Sequence, residues 1–295
     1  MPIIDSHNLP APVLEAIRNR PYDRGDSQIS VTGLILPPRI RQLQERLGDK
    51  LEVEAADQLY AMSGSAVHSV LEWAGKTLDP ERYILEERLF TEVLGWKISG
   101  QIDVIDLQEG LLTDYKNTSY WVAIYGAKDE WTQQLNIYRW LCHVNGYNIN
   151  RLEIFANLRD WNKMKSYRER DYPQVGFKVI PIEVWPLEQT EKFVHQRVAI
   201  HQEAETIATA SLPMCTAEER WTKGGGWAVK VDGHKSAKKI CDTKQEALSW
   251  MSANVKDPVT LAKTRLEPRP GEQRRCIGYC PVRFHCDHGK AVAKR

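Results

Sequence analysis

The sequence has no apolar run approaching the ~20 residues that a membrane-spanning helix needs. It also has no excess charge of either sign: 40 Lys and Arg stand against 39 Asp and Glu, a net charge of +1. The first absence excludes a helical membrane protein. The second means that overall charge does not announce a nucleic-acid binder. Any grip on a polyanion must come from local basic patches, because attraction decays over about 10 Å at moderate salt. Internal repeats and low-complexity tracts are missing as well. Gly224-Gly225-Gly226 lacks the following Lys-Ser/Thr pair and the strand-to-helix setting of a phosphate loop. Met1 to Asn8 carries Asp5 and lacks the basic-then-apolar order of a secretory signal, so a cytoplasmic protein is expected.

What is present is ordinary globular composition, 42% hydrophobic and 27% charged over 295 residues, enough for a sizeable core. Residues 1–30 read as a polar arm with a short helix near Val13–Arg18. Ser30–Leu36 is a short apolar stretch stopped by Pro37 and Pro38, and a helix follows over Arg39–Leu47. Leu59, Met62, Ala66, Val70 and Trp73 recur at helical spacing, which predicts an amphipathic helix over Glu54–Lys76, kinked near Gly64. Strands are predicted at Tyr83–Phe90, Trp96–Leu107 and Leu111–Lys116, then a helix at Lys128–Val144 stopped by Gly146. Strands at Leu152–Leu158 and Gly176–Val184 and a helix at Leu187–Ala210 complete an α/β pattern. His195 and His201 on that last helix are expected to face solvent. Beyond Pro213, Asp232-Gly233 signals a hairpin, and Asp242 or Thr243 caps a helix through Asn254, a small ββα element.

The chemistry-bearing stretch is ISGQIDVIDLQEGLLTDYKNTSYW, residues 98–121. The period of two puts Leu112, Asp114 and Lys116 on one strand face. A hairpin can therefore set Asp103, Asp114 and Lys116 side by side. Two converging carboxylates bind a hard divalent cation such as Mg²⁺ through oxygen. A neighbouring lysine can hold an attacking water and offset phosphate charge, and the cation polarises the phosphate. Asp-x-Lys alone is a weak signal, since a hairpin with a solvated polar face looks the same. The order G-x-x-D, turn, D-x-K, then Q-x-x-x-Y on a helix is more specific. In that last element Gln134 would orient DNA or the lysine, and Tyr138, one turn on, would support it.

Cys276, Cys280 and Cys286 stand close together in RCIGYCPVRFHC, and Cys215 is the best fourth ligand. Four thiolates suit either a [4Fe–4S] cluster or a structural Zn²⁺, with His285 and His288 nearby for the latter. Such a centre would tie together the two flanks of the ββα element. Cys142 and Cys241 read as small buried side chains.

This arrangement resembles the RecB-like branch of the PD-(D/E)xK nucleases. GSAVHSVLE, residues 64–72, resembles the G-x-x-x-H helix that precedes the hairpin there. The resemblance implies a restriction-endonuclease-like α/β core, a central mixed sheet flanked by helices. It implies a site in which His68, Asp103, Asp114 and the backbone carbonyl of Tyr115 hold Mg²⁺ or Mn²⁺, with Glu86 as an acidic residue ahead of the hairpin. Several such nucleases carry an iron–sulfur cluster on one distant cysteine and three near the C-terminus. The counterpart here is Cys215, Cys276, Cys280 and Cys286, although the distant cysteine usually lies near the N-terminus. The expected organisation is a nuclease core with its arm over 1–214, a ββα insertion over 222–256, and a cysteine-rich segment over 257–295 that closes a metal centre with Cys215.

The whole is most similar to phage-encoded exonucleases of that branch, which would act in host cytoplasm. The implied substrate is DNA with free ends or single strands, processed for recombination, repair or replication, with a helicase or recombinase as a candidate partner and no membrane. The alternatives are a CRISPR-associated type of DNA-trimming nuclease and a non-catalytic iron–sulfur DNA-binding module. Candidate DNA contacts are Tyr138 and, beside Trp221 and Trp227, Lys235, Lys238 and Lys239, where aromatics and cations suit single-stranded DNA. The tail adds Lys290, Lys294 and Arg295.

Overall fold

Apolar and polar residues alternate over much of residues 83–118. The computed structural model, which describes residues 2–19 and 24–293, folds them into an antiparallel meander. Pro21 of the arm, and Lys294 and Arg295 of the tail, lie outside the described residues. The chain divides into two compact units, Met1–Leu212 and Pro213–Arg295.

The first unit begins with β1 (Ile3–Ile4) and α1 (Ala11–Arg18), followed by β2 (Ile29–Ser30), α2 (Val31–Ile35) and α3 (Pro38–Leu47). The apolar stretch at Ser30–Leu36 thus becomes mostly helix, because the Ser30 hydroxyl accepts from the Gly33 N–H and caps it. After β3 (Val53–Glu54) comes α4 (Leu59–Gly75), then β4 (Tyr83–Val93), β5 (Trp96–Asp106) and β6 (Leu111–Thr118). Next are α5 (Trp121–Tyr125), α6 (Asp129–Val144), β7 (Arg151–Leu158), α7 (Lys163–Arg168), β8 (Phe177–Ile182) and α8 (Leu187–Thr206). The main sheet runs β2-β5-β6-β7-β8, with β4 also paired to β5. β2–β5 and β6–β7 are parallel, and the remaining pairs are antiparallel.

An α/β fold with a mixed sheet is therefore what the chain adopts. The sheet is open. β6 pairs with β5 only through Val104↔Thr113, Ile105↔Leu112 and Asp106↔Leu111, then leaves it and follows β7 as far as Thr118↔Leu158. Neither a closed nuclease-like core nor a cysteine-ligated metal centre is present among the described residues, so the expected restriction-endonuclease-like architecture is corrected on both points.

Two sequence readings of helices also need correction. α4 is unbroken through Gly64. Its Val70 and Trp73, expected on the buried stripe, are exposed. The half-buried face is the one carrying Ala61, Ser65, His68 and Leu71 and ending at buried Gly75. Gly75 sets this orientation, since a Cβ there would fall 2.4 Å from the Leu85 side chain of β4. His201 on α8, expected to face solvent, is fully buried. Its Nε2 lies 3.0 Å from the Leu34 carbonyl oxygen at the end of α2.

Gly100 performs a similar service for α6. A Cβ there would lie 2.7 Å from Leu141 and 2.8 Å from the Tyr138 ring, both buried. Because neither neighbour can swing into solvent, Gly100→Ala should cost about 1–3 kcal/mol by overpacking. A thermal melt should show a midpoint lower by roughly 2–10 °C. An unchanged midpoint would mean that α6 can shift away freely.

The second unit, taken by itself, contains β9 (Thr222–Lys223), β10 (Gly226–Val231), β11 (Lys239–Cys241), α9 (Lys244–Asn254), α10 (Pro258–Ala262), β12 (Thr264–Arg269), β13 (Glu272–Gln273) and α11 (Asp287–Ala293). Gly233 takes φ +88° in the hairpin. Thr243 caps α9 by accepting from the Glu246 N–H, while Glu246 accepts from the N–H of Asp242, one residue before the cap. The hairpin gains a third strand, because β12 pairs along the whole of β10. Among the described residues no helix is long and apolar enough to cross a membrane.

Candidate metal centre

The β4–β5 ladder brings Glu86 and Asp103 opposite each other, between the pairs Leu85↔Val104 and Glu87↔Ile102. On the other side, continuing the pair Val104↔Thr113 by one residue brings Asp103 against Asp114 just where β6 leaves β5. Three carboxylates thus lie in one row across the sheet. Like charges directly opposite each other destabilise a sheet, so the row needs compensation.

The parting of β5 and β6 places Asp103. The Tyr115 N–H donates to Asp103 Oδ2 at 2.6 Å. Glu86 has φ +50°, a left-handed conformation uncommon for a residue with a side chain. Its Oε2 accepts from Gln101 Nε2 at 2.8 Å. Backbone strain of this kind gathers where a side chain must be aimed. α4, pressed onto Leu85 through Gly75, then delivers the imidazole. His68 Nδ1 lies 3.5 Å from Asp103 Oδ1 and 3.6 Å from Glu86 Oε1. Ligand atoms of His68, Glu86 and Asp103 all lie within 4.8 Å of one another, the one such group among the described residues.

The electrostatics of the cluster suit a cation. Burial, together with repulsion from Asp114, pushes the Asp103 carboxyl up to about 7 against the pull of His68, the Tyr115 N–H and Lys116. Hydrogen bonding to Glu86 raises His68, with Asp103 adding to it. The group therefore holds protons where a divalent ion would otherwise supply positive charge. Asp114 is buried, and its Oδ2 ion-pairs with Lys116 Nζ at 2.5 Å. Lys116 Nζ also lies 3.2 Å from Gln134 Oε1, and Gln134 Nε2 donates to the Tyr138 hydroxyl at 2.9 Å. Tyr138 is buried, so it braces Gln134 and is not a surface for DNA.

The group that converges differs from the ligand set that the RecB-like PD-(D/E)xK resemblance implied. Tyr115 presents its N–H to Asp103, Asp114 is engaged by Lys116, and Glu86 takes the third position beside His68 and Asp103. The group that converges is one imidazole and two carboxylates, with Glu86 where the resemblance had Asp114 and the Tyr115 carbonyl, so the Mg²⁺ or Mn²⁺ assignment made on the former set is withdrawn. The recognition as a PD-(D/E)xK nuclease with a four-cysteine centre falls with it. Glu86 was the least legible member, since nothing in its sequence neighbourhood announces its left-handed backbone.

The iron–sulfur or zinc centre on Cys215, Cys276, Cys280 and Cys286 is also corrected. Their sulfurs form no group that meets the ligand spacing. Burial pushes the Cys215 thiol up to about 12, with Glu219 and the other three cysteines contributing, and raises Cys276 and Cys280 as well. The two flanks of the hairpin element are joined by other means. β9 pairs with β13, Arg275 Nη1 donates to the Glu219 carbonyl at 3.1 Å, and the Arg275 guanidinium sits 4.7 Å above the Trp221 ring. Lys235, Lys238 and Lys239 are exposed on the second unit.

Comparison with known proteins adds little. Residues 220–267 match the family described as "Uncharacterized protein conserved in bacteria (DUF2188)". No curated protein matches the chain. A solved structure titled "Crystal structure of SSO0001" is 18% identical with a TM-score of 0.44, covering 64% of this chain and 84% of that one.

Proposed function

We propose that the first unit hydrolyses phosphodiester bonds of DNA, using a divalent cation held by His68, Glu86 and Asp103. The observation that carries this reading is the convergence of those three side chains beside an ion-paired lysine. A divalent cation there supplies Lewis-acid polarisation of a phosphoryl oxygen. The chain's own groups do the rest. Lys116, fixed between Asp114 and Gln134, offsets the negative charge that develops on the phosphate. Tyr138 fixes Gln134, and the Tyr115 N–H fixes Asp103, so neither has to reorganise during reaction.

The test incubates the full chain with end-labelled linear and closed circular single-stranded DNA, supplying first-row divalent cations one at a time. Cation-dependent loss of the linear substrate alone is the expected result and makes the enzyme an exonuclease. Cutting of the circle would instead make it an endonuclease. Absence of cleavage with every cation would remove the proposal.

A further inference from the structure

Directly beyond Lys116 the chain turns into α5, and its exposed face carries aromatic rings. Tyr120 and Trp121 stack with centroids 4.6 Å apart, and Trp121 and Tyr125 stack at 5.7 Å with planes only 17° apart. Trp121 is 49% exposed and Tyr125 78%. Rings of this size left in water, already parallel, are ready-made faces for further stacking. Across the end of β6, the Arg159 guanidinium lies 4.4 Å over the Tyr60 ring, itself 66% exposed, and donates to the Asn117 carbonyl at 3.3 Å. Asn117 is held in turn from β7 and α4, accepting from Asn157 Nδ2 and donating to Ser63 Oγ at 2.9 Å. Lys128 begins α6, the helix that carries Gln134. Crowding around its ammonium group, with repulsion from Arg159 and Lys116, lowers its hold on a proton. Three cations therefore share this neighbourhood.

Resting on the phosphodiesterase reading above, we infer that Tyr60, Trp121 and Tyr125, with Arg159 and Lys128, form a track that binds single-stranded DNA and leads it to the metal centre. Stacking on exposed rings tolerates any base, because every base has a π-face, and cations follow the backbone. In a duplex the faces of the bases are occupied by their neighbours, so this track selects unpaired strands. The spacing fits. Tyr120 and Trp121 lie four and five residues beyond Lys116, at most about 14–18 Å along an extended chain. That span takes at most about four or five stacked nucleotides at ~3.4 Å each. An apolar protein partner would use the rings but has no need of Arg159 and Lys128, so the charges favour the nucleic acid.

The experiment measures binding without any divalent cation, which separates it from cleavage. Fluorescence anisotropy of a labelled oligothymidylate is followed with the full chain. Trp121→Ala and Tyr125→Ala should each weaken binding by roughly 5- to 100-fold. Trp121→Phe should restore most of that loss, and blunt duplex of equal length should bind more weakly than the single strand. Arg159→Gln and Lys128→Gln should each lower the slope of log affinity against log salt by about 0.7. The rings are exposed, so circular dichroism should be unchanged in the alanine variants. Wild-type affinity in both alanine variants would overturn the track, whether or not the protein cleaves DNA. Ring-dependent binding without cleavage under any cation would keep the track and remove the hydrolase.

Discussion

Asp103→Asn should eliminate both cation binding and DNA cleavage, whereas Lys116→Met should slow only the second. The two residues lie within one site but have different tasks. Asp103 is a candidate ligand whose carboxylate faces His68 and is flanked by two further carboxylates. An amide in its place keeps the hydrogen bond from the Tyr115 N–H but loses the charge. Lys116 touches Asp114 and Gln134 and no member of the ligand group. Its loss leaves the cation in place and removes a preorganised positive charge, an effect worth about 10²- to 10³-fold in rate. Calorimetric titration of the cation, beside single-turnover cleavage, reads the two roles separately. The same titration discriminates between the two ligand sets. Glu86→Gln should weaken the cation sharply, and Asp114→Asn much less. The reverse ranking would restore the ligand set that the hairpin motif alone suggested. Without added cation, Asp103→Asn should melt no lower than the wild type, because repulsion from Asp114 is relieved.

The alternation over residues 96–118 was enough to locate the two long strands and to place Asp103, Asp114 and Lys116 on them, since a period of two is a local property of the chain. Helix starts and stops with strong caps, such as Thr243 for α9, were equally readable. The unreadable features depend on approach between elements. Glu86, named only through the resemblance, is turned into the site by one left-handed backbone angle that the sequence does not show. Which face of α4 turns inward is decided by the contact of Gly75 with Leu85, which outweighs the apolar stripe at Val70 and Trp73. The cysteines illustrate a different failure. Their spacing suggested a metal centre, yet spacing along the chain does not report how closely four sulfurs approach one another.

The second large effect is expected from acid and concerns His201. Its ring is fully buried, its Nδ1 has no partner, and Arg197 lies 3.4 Å from its Nε2. Burial, with the nearby Arg197 charge, pushes its imidazole down to about 3. In the unfolded chain the same ring takes a proton near 6.5. The folded form thus binds fewer protons between those values. The stability His201 supports is fully present above about pH 6.5 and drains away as pH falls toward 3. The total is on the order of 5 kcal/mol. Asp103 works in the opposite direction over part of this window. Its folded carboxyl, raised to about 7, takes a proton before the unfolded one does, which favours the folded state as pH drops. The difference between wild type and a His201 variant isolates the imidazole from this opposing contribution. His201→Gln keeps a donor for the Leu34 carbonyl and removes the titration. Urea unfolding at pH 7, 6 and 5 should show the wild type losing stability more steeply than the variant, by about one proton's worth of slope below pH 6.5. Parallel curves would mean that the ring is reached by water and protonated in the folded protein, and that the α2–α8 packing around Leu34 opens far more readily than its burial implies.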